Sequence, residues 1–323
     1  MSSFKPAFGL SNKHVQTIYA TLFRKLPPID FEIETFHLSD GDFLECYWSK
    51  IHTHTQNTPN VILFHGLAGS YNSPYIQGSV KALNKEGFNV VIMHYRGTSG
   101  KENSLARSYH SGDSADAFAF ILSLKSRYKK AKLFAVGYSL GANMLLKLLG
   151  ENGNNSHLDG AVAVSAPMRL DLCADTMNKG FSKFYQKILL KDLNKSLDKK
   201  YDKHDMQSLI SLKREEITNL KTFWDFDGAY TAPIHGFTSA QDYYTKSSAR
   251  QFLKHIRTST LIIHSLDDPF MTPEVLPKEH EISKSVTLEI SKNGGHVGFI
   301  SGSILKPEYW LEKKIVEYFK VLL

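Results

Sequence analysis

Cysteine is nearly absent. The 323 residues hold two, Cys46 and Cys173. Two thiols build no disulfide framework, and no CxxC or Cys/His pairing suggests a zinc site. Apolar runs of about 18 residues are also missing, which argues against a membrane-spanning helix. The opening MSSFKPAFGLSNKHVQT lacks the apolar stretch of a signal peptide. No charge sign dominates: 39 Lys and Arg stand against 32 Asp and Glu, a formal +7. That mild excess permits contact with an anionic surface but is no nucleic-acid footprint. Internal repeats and low-complexity tracts are absent as well. With 42% hydrophobic and 22% charged residues the composition is that of an ordinary globular protein. Together these absences predict a soluble, cytoplasmic protein with reduced thiols, and leave its oligomeric state open.

What is there is apolar material in short, spaced runs. An N-terminal arm with little periodicity extends to about Leu26-Pro27-Pro28. FEIETFHL and FLECYWS then read as strands joined by the turn Ser39-Asp40-Gly41-Asp42. A polar loop follows from His52 to Pro59. NVILFHG, FNVVIMHY, KLFAVGYS and LDGAVAVSAP are buried-strand patterns separated by helical segments. From about 168 to 251 this rhythm breaks into a helix-rich, lysine-rich stretch. It returns at TLIIHSLDDP and VTLEIS and closes in a helix from Tyr309 to Leu323. Alternating strands and helices predict an α/β fold with a mostly parallel central sheet flanked by helices. The interruption is roughly eighty residues, too long for an ordinary connection. The expected organisation is one domain over 1–323, a core at about 30–167 and 252–323, and an inserted helical cap at about 168–251.

Gly137-Tyr138-Ser139-Leu140-Gly141 follows a buried strand and opens a helix. GxSxG in that context is a nucleophile elbow, with Ser139 at the carboxyl edge of the sheet. A serine needs a base to take its proton. His296, in Asn293-Gly294-Gly295-His296 after the last strand, has the position for it. The acid should follow the preceding strand, where Leu266-Asp267-Asp268-Pro269 offers two aspartates. Counting from Ser265 selects Asp268, and counting from His264 selects Asp267. The first register is preferred and the second stays open. The oxyanion requires two N–H donors. The elbow supplies Leu140, and the loop Phe64-His65-Gly66-Leu67-Ala68-Gly69 supplies Leu67.

Further segments carry a family resemblance. They include Phe4-Lys5-Pro6, Leu10-Ser11-Asn12, the HGLAG run at 65–69, Tyr95-Arg96-Gly97 and Tyr109-His110-Ser111-Gly112-Asp113. Farther on stand Tyr230-Thr231-Ala232-Pro233, Gly236-Phe237, Asp242-Tyr243-Tyr244 and Asp267-Asp268-Pro269-Phe270. The sequence resembles the YheT-like branch of the α/β-hydrolase superfamily over nearly its whole length. That resemblance implies an α/β-hydrolase fold with a cap, and hydrolysis of carboxylic esters by Ser139, Asp268 and His296. Eukaryotic members of the group include phospholipases, acylglycerol lipases and acyltransferases, so the substrate is not fixed by it.

The expected activity is therefore a serine carboxylesterase acting on small acyl esters through an acyl-enzyme, with no metal or cofactor. Acyl transfer to an alcohol is the alternative on the same triad. A non-catalytic binding protein is a third reading. Arg96 either braces the oxyanion loop or pairs with an acid. Lysines recur at 179, 183, 187, 191, 195, 199 and 203, with Phe181, Phe184, Ile188, Leu189 and Leu193 between them as an apolar side. This is read as the solvated face of a packed cap helix, or as a basic surface in weak contact with anionic membrane.

Overall fold

The computed structural model describes residues 2–51 and 55–323. Residues 52–54 of the expected polar loop lie outside the described residues. The chain begins with helix α1 (Lys13–Phe23), then strands β1 (Glu32–His37), β2 (Phe43–Ser49) and β3 (Asn60–Phe64). Helix α2 (Pro74–Lys85), strand β4 (Asn89–Met93), α3 (Ser114–Arg127), β5 (Leu133–Tyr138), α4 (Leu140–Asn152) and β6 (Gly160–Val164) follow. These strands, with β7 (Thr260–Ser265) and β8 (Val286–Ser291), form one eight-stranded sheet in the order β1-β2-β4-β3-β5-β6-β7-β8. The β1/β2 and β2/β4 pairs are antiparallel; all later pairs are parallel.

Strand alternation splits the core in two, because successive side chains point to opposite faces. On β3, Ile62 and Phe64 join the layer under α3 and α4. Val61 and Leu63 join the layer under α2 and the closing helix. Both faces of the central strands are fully buried, which is why they read as continuous apolar runs.

Between β6 and β7 the chain is helical. It forms α5 (Leu170–Met177), α6 (Ser182–Lys200), α7 (Met206–Ile210), α8 (Phe223–Phe226), a π turn (Asp227–Thr231), α9 (Ala232–Ile234) and α10 (Ala240–Ser247). These helices have their own apolar cluster, which includes Leu190, Leu197, Met206, Ile210 and Phe226. A short hairpin, β9 (Ile300–Gly302) with β10 (Pro307–Tyr309), and helix α11 (Trp310–Leu322) finish the fold.

Two sequence expectations differ from the structure. The arm without periodicity contains α1, capped by the Asn12 side chain, which accepts from the N–H groups of His14 and Val15. Val15, Ile18, Tyr19 and Leu22 stand at helical spacing on it, but only Gln16 is fully buried, so the stripe packs just partly against the core. On α6, Phe181, Phe184 and Ile188 are exposed, at 56%, 55% and 48%, and do not form the packed side. Tyr185, Leu190 and Leu197 do. The lysines are also not equivalent. Lys199 and Lys203 pair with Glu102. Lys183, Lys187, Lys191 and Lys195 are exposed and have no ion pair among the described residues. No helix among the described residues is long and apolar enough to cross a membrane.

Candidate active site

Ser139 sits between the end of β5 and the first turn of α4, with φ 51° and ψ −117°. A non-glycine residue is held there only when its surroundings over-determine it. The flanking glycines permit the packing: a Cβ on Gly137 would lie 2.5 Å from the Gly141 carbonyl oxygen. One on Gly141 would lie 2.5 Å from the oxygen of Phe64. Nothing larger fits at either position. The Ser139 N–H donates to the Val164 carbonyl at 2.9 Å, tying the turn to β6.

His296 comes from the loop after β8. Its Nε2 is 2.8 Å from the Ser139 hydroxyl, and its Nδ1 is 2.8 Å from Asp268 Oδ2. With Nδ1 protonated and donating to the carboxylate, Nε2 is left as the acceptor facing the serine. The other Asp268 oxygen accepts from the Phe270 N–H at 2.8 Å, and the side chain is inaccessible to solvent. Asp267 points elsewhere. It accepts from Asn293 Nδ2 at 3.2 Å and from the Gly295 N–H at 3.0 Å, holding the loop that carries the histidine. The Phe270 ring lies flat against the imidazole, with centroids 4.0 Å apart and planes 11° off parallel.

The loop after β3 lies against Ser139; a Cβ on Gly66 would be 3.2 Å from the serine Cβ. Its N–H groups divide clearly. Gly66 donates to the Tyr75 hydroxyl, Ala68 to the Tyr109 hydroxyl and Gly69 to the Gly66 carbonyl. Leu67 N–H and Leu140 N–H have no acceptor among the described residues. His65 is buried behind the loop with Nδ1 2.8 Å from the Gly66 oxygen. Burial pushes its imidazole down to about 3, so it is a neutral brace. Arg96 does not brace this loop. Its guanidinium is consumed by Asp116, Asp42 and Asp40, which leaves Tyr75, Tyr109 and His65 as the braces.

Sequence reasoning missed the contribution of α1. The His296 N–H donates to Thr17 Oγ1 at 2.9 Å. Gln16 donates to the Ile300 carbonyl and accepts from the Ile300 N–H. A Cβ on Gly295, at φ +59°, would meet the Lys13 carbonyl oxygen at 2.5 Å. Two sequence signals could have revealed this helix: Asn12 as its cap, and Val15, Ile18, Tyr19 and Leu22 at helical spacing.

Ser139 and His296 open onto a cavity of about 380 Å³. Its apolar wall includes Leu170, Met177, Leu189, Leu193, Phe226 and Met271. A serine–imidazole–carboxylate relay at the carboxyl edge of a parallel sheet, beside two unengaged N–H groups, is the arrangement of an α/β hydrolase. The chain belongs to that family, and the family model for the alpha/beta hydrolase fold matches residues 59–303. Within the family it stands in the YheT-like branch. It is 41% identical, over 98% of its length and 93% of the relative's, to "Putative esterase YheT" of Escherichia coli (strain K12). It is 31% identical to medium-chain fatty acid ethyl ester synthase/esterase 2 of Saccharomyces cerevisiae, over 81% of this chain and 62% of that one. Among solved structures, the Pyrococcus furiosus esterase Pf2001 superposes with a TM-score of 0.61 at 18% identity, covering 91% of each chain.

Proposed function

We propose that the protein is a serine carboxylesterase in which Ser139 is the nucleophile, His296 the general base and acid, and Asp268 the residue that fixes the imidazole. The observation that carries this reading is the continuous relay, 2.8 Å from serine to imidazole and 2.8 Å from imidazole to carboxylate. The helical insertion acts as a cap, giving the cavity its apolar wall.

In the acylation step Ser139 Oγ attacks the ester carbonyl and its proton passes to His296 Nε2. Negative charge builds on the carbonyl oxygen. The N–H groups of Leu67 and Leu140 receive it, and the N-terminus of α4 adds favourable potential. As the tetrahedral intermediate collapses, the C–O bond to the alcohol breaks and His296 returns the proton to the leaving oxygen. Water, deprotonated by the same imidazole, then releases the acid and restores Ser139. Asp268 keeps Nδ1 protonated throughout and stabilises the imidazolium.

The test is a series of p-nitrophenyl esters of increasing chain length, with a fluorophosphonate probe run in parallel. Expected are turnover and labelling, both lost in Ser139→Ala with an unchanged melting temperature. Removing a nucleophile costs on the order of 10⁶ in kcat. A variant keeping more than about a thousandth of the wild-type rate points to another nucleophile. Failure of Ser139 to label would favour a binding protein.

Acyl transfer is the second reading, favoured by the apolar wall and by the synthase/esterase name of the yeast relative. It uses the same acyl-enzyme with an alcohol in place of water. Product analysis with added ethanol separates the two, since transfer yields the ethyl ester as the main product.

A further inference from the structure

We propose that the cavity holds, at Asp227, a subsite for an alkylammonium group of the substrate. The substrate part of this proposal rests on the esterase reading above; the binding part does not.

Asp227 begins the π turn that interrupts the helical run from Phe223 to Ile234. Such single-turn widenings recur at functional sites. The side chain is fixed from two directions: Thr231 Oγ1 donates to one carboxylate oxygen at 2.6 Å, and the Tyr244 hydroxyl donates to the other at 2.7 Å. Both partners are donors, which suits an ionised carboxylate. Asp227 lines the same cavity as Ser139, together with Phe223, Phe226, Tyr230, Tyr243 and Tyr244.

This anion has no ion pair among the described residues. The cations on the cavity wall are occupied elsewhere. Arg96 is held by Asp40, Asp42 and Asp116, and Lys199 by Glu102. Lys200 donates to Asn103 Oδ1 and the Leu105 carbonyl. Burial pushes the Asp227 carboxyl up to about 6, so it remains mostly ionised at neutral pH. Asp227 is only partly exposed, and a carboxylate short of water is unfavourable unless a cation joins it. A metal ion would need several oxygen ligands, and one carboxylate is offered. Five aromatic side chains line the same cavity and suit a weakly hydrated organic cation, which gains from contact with ring faces. Alkylammonium is the class that meets both demands.

Butyrylcholine and its uncharged carbon isostere, 3,3-dimethylbutyl butyrate, differ only in that charge. Their binding to Ser139→Ala by calorimetry needs no turnover. The charged ester is expected to bind roughly tenfold more tightly, the order of a desolvated cation against aromatic faces and a carboxylate. The same ratio is expected in kcat/KM of the wild type. Asp227→Asn should abolish both preferences while p-nitrophenyl butyrate turnover stays within about twofold. Equal binding of the two esters by the Ser139→Ala chain overturns the proposal, and that comparison does not depend on the Asp227 variant folding. A preference that survives in Asp227→Asn overturns it too, leaving Asp227 as a tie between the π turn and α10. If the charged ester binds preferentially but neither ester is hydrolysed, the subsite stands and the esterase reading fails.

Discussion

Asp268→Asn tests the division of labour between two adjacent aspartates. In the wild type both Asp268 oxygens accept, one from His296 Nδ1 and one from the Phe270 N–H, each at 2.8 Å. An amide of the same shape has one acceptor and one donor, so it cannot keep both. If its NH₂ faces Phe270, two buried donors oppose each other, at a cost of about 1–3 kcal/mol. The amide therefore turns the other way and donates to Nδ1. That forces the proton onto Nε2, where it faces Ser139 and removes the base. The expected loss in kcat is about 10³–10⁴, with a small change in melting temperature. Asp267→Asn keeps an oxygen for the Gly295 N–H and weakens only the tie to Asn293. That hydrogen bond to a partly exposed carboxylate, worth about 1–2 kcal/mol, allows a loss of roughly five- to thirtyfold at most. Steady-state kinetics on p-nitrophenyl butyrate measure both. If Asp267→Asn is the more damaging change, or if Asp268→Asn keeps more than about a tenth of the activity, the assignment of the acid is wrong.

Three further outcomes follow from the packing. Gly295→Ala puts a methyl against the Lys13 carbonyl at a positive φ. It should cost about 1–2 kcal/mol or more in urea unfolding and lower kcat through a displaced His296; an unaffected rate would mean that α1 does not hold this loop. Arg96→Met leaves Asp42 buried without its cation and Asp116 with only Arg107, at 3.5 Å, and about 3–5 kcal/mol of stability should be lost in the same assay; a loss under about 1 kcal/mol would refute the view that the acids depend on it. Vesicle co-sedimentation checks the exposed lysines of α6: salt-sensitive binding to anionic lipid, weakened when Lys183, Lys187 and Lys191 become Glu, is expected of a lipid-contacting face. Equal binding to neutral vesicles, or none to either, leaves a hydrated helix.

The sheet was legible because both faces of its central strands are buried, and β3, β4, β5 and β6 announce themselves as apolar runs. The elbow was legible because Gly137 and Gly141 are sterically obligatory. The aspartate register was harder, since Asp267 and Asp268 both point at the histidine loop and only their side-chain partners distinguish them. Helix α1 was missed although Val15, Ile18, Tyr19 and Leu22 have helical spacing, and its ties to the histidine loop, through Gln16 and Thr17, are polar contacts that no periodicity reveals. On α6 the lysine spacing was visible, but the partners of Lys199 and Lys203 come from Glu102, nearly a hundred residues earlier. Asp227 carries no local signature, since its neighbours Thr231 and Tyr244 become meaningful only once the π turn folds.

The contact between α1 and the histidine loop also bears on the order of assembly during synthesis. Thr17 and His296 are 279 residues apart, and Gln16 and Ile300 are 284 apart. At about 5–20 residues per second, the first helix waits roughly 15–60 s on the ribosome for the loop it will hold. During that interval its polar side chains are served by water, while Val15 and Tyr19 wait for Ile300, which completes the cluster they pack against. Ser139 is already translated by then, but His296 is not. On the proposed mechanism, acylation of Ser139 is thus withheld until the loop of His296 has been made and has met α1.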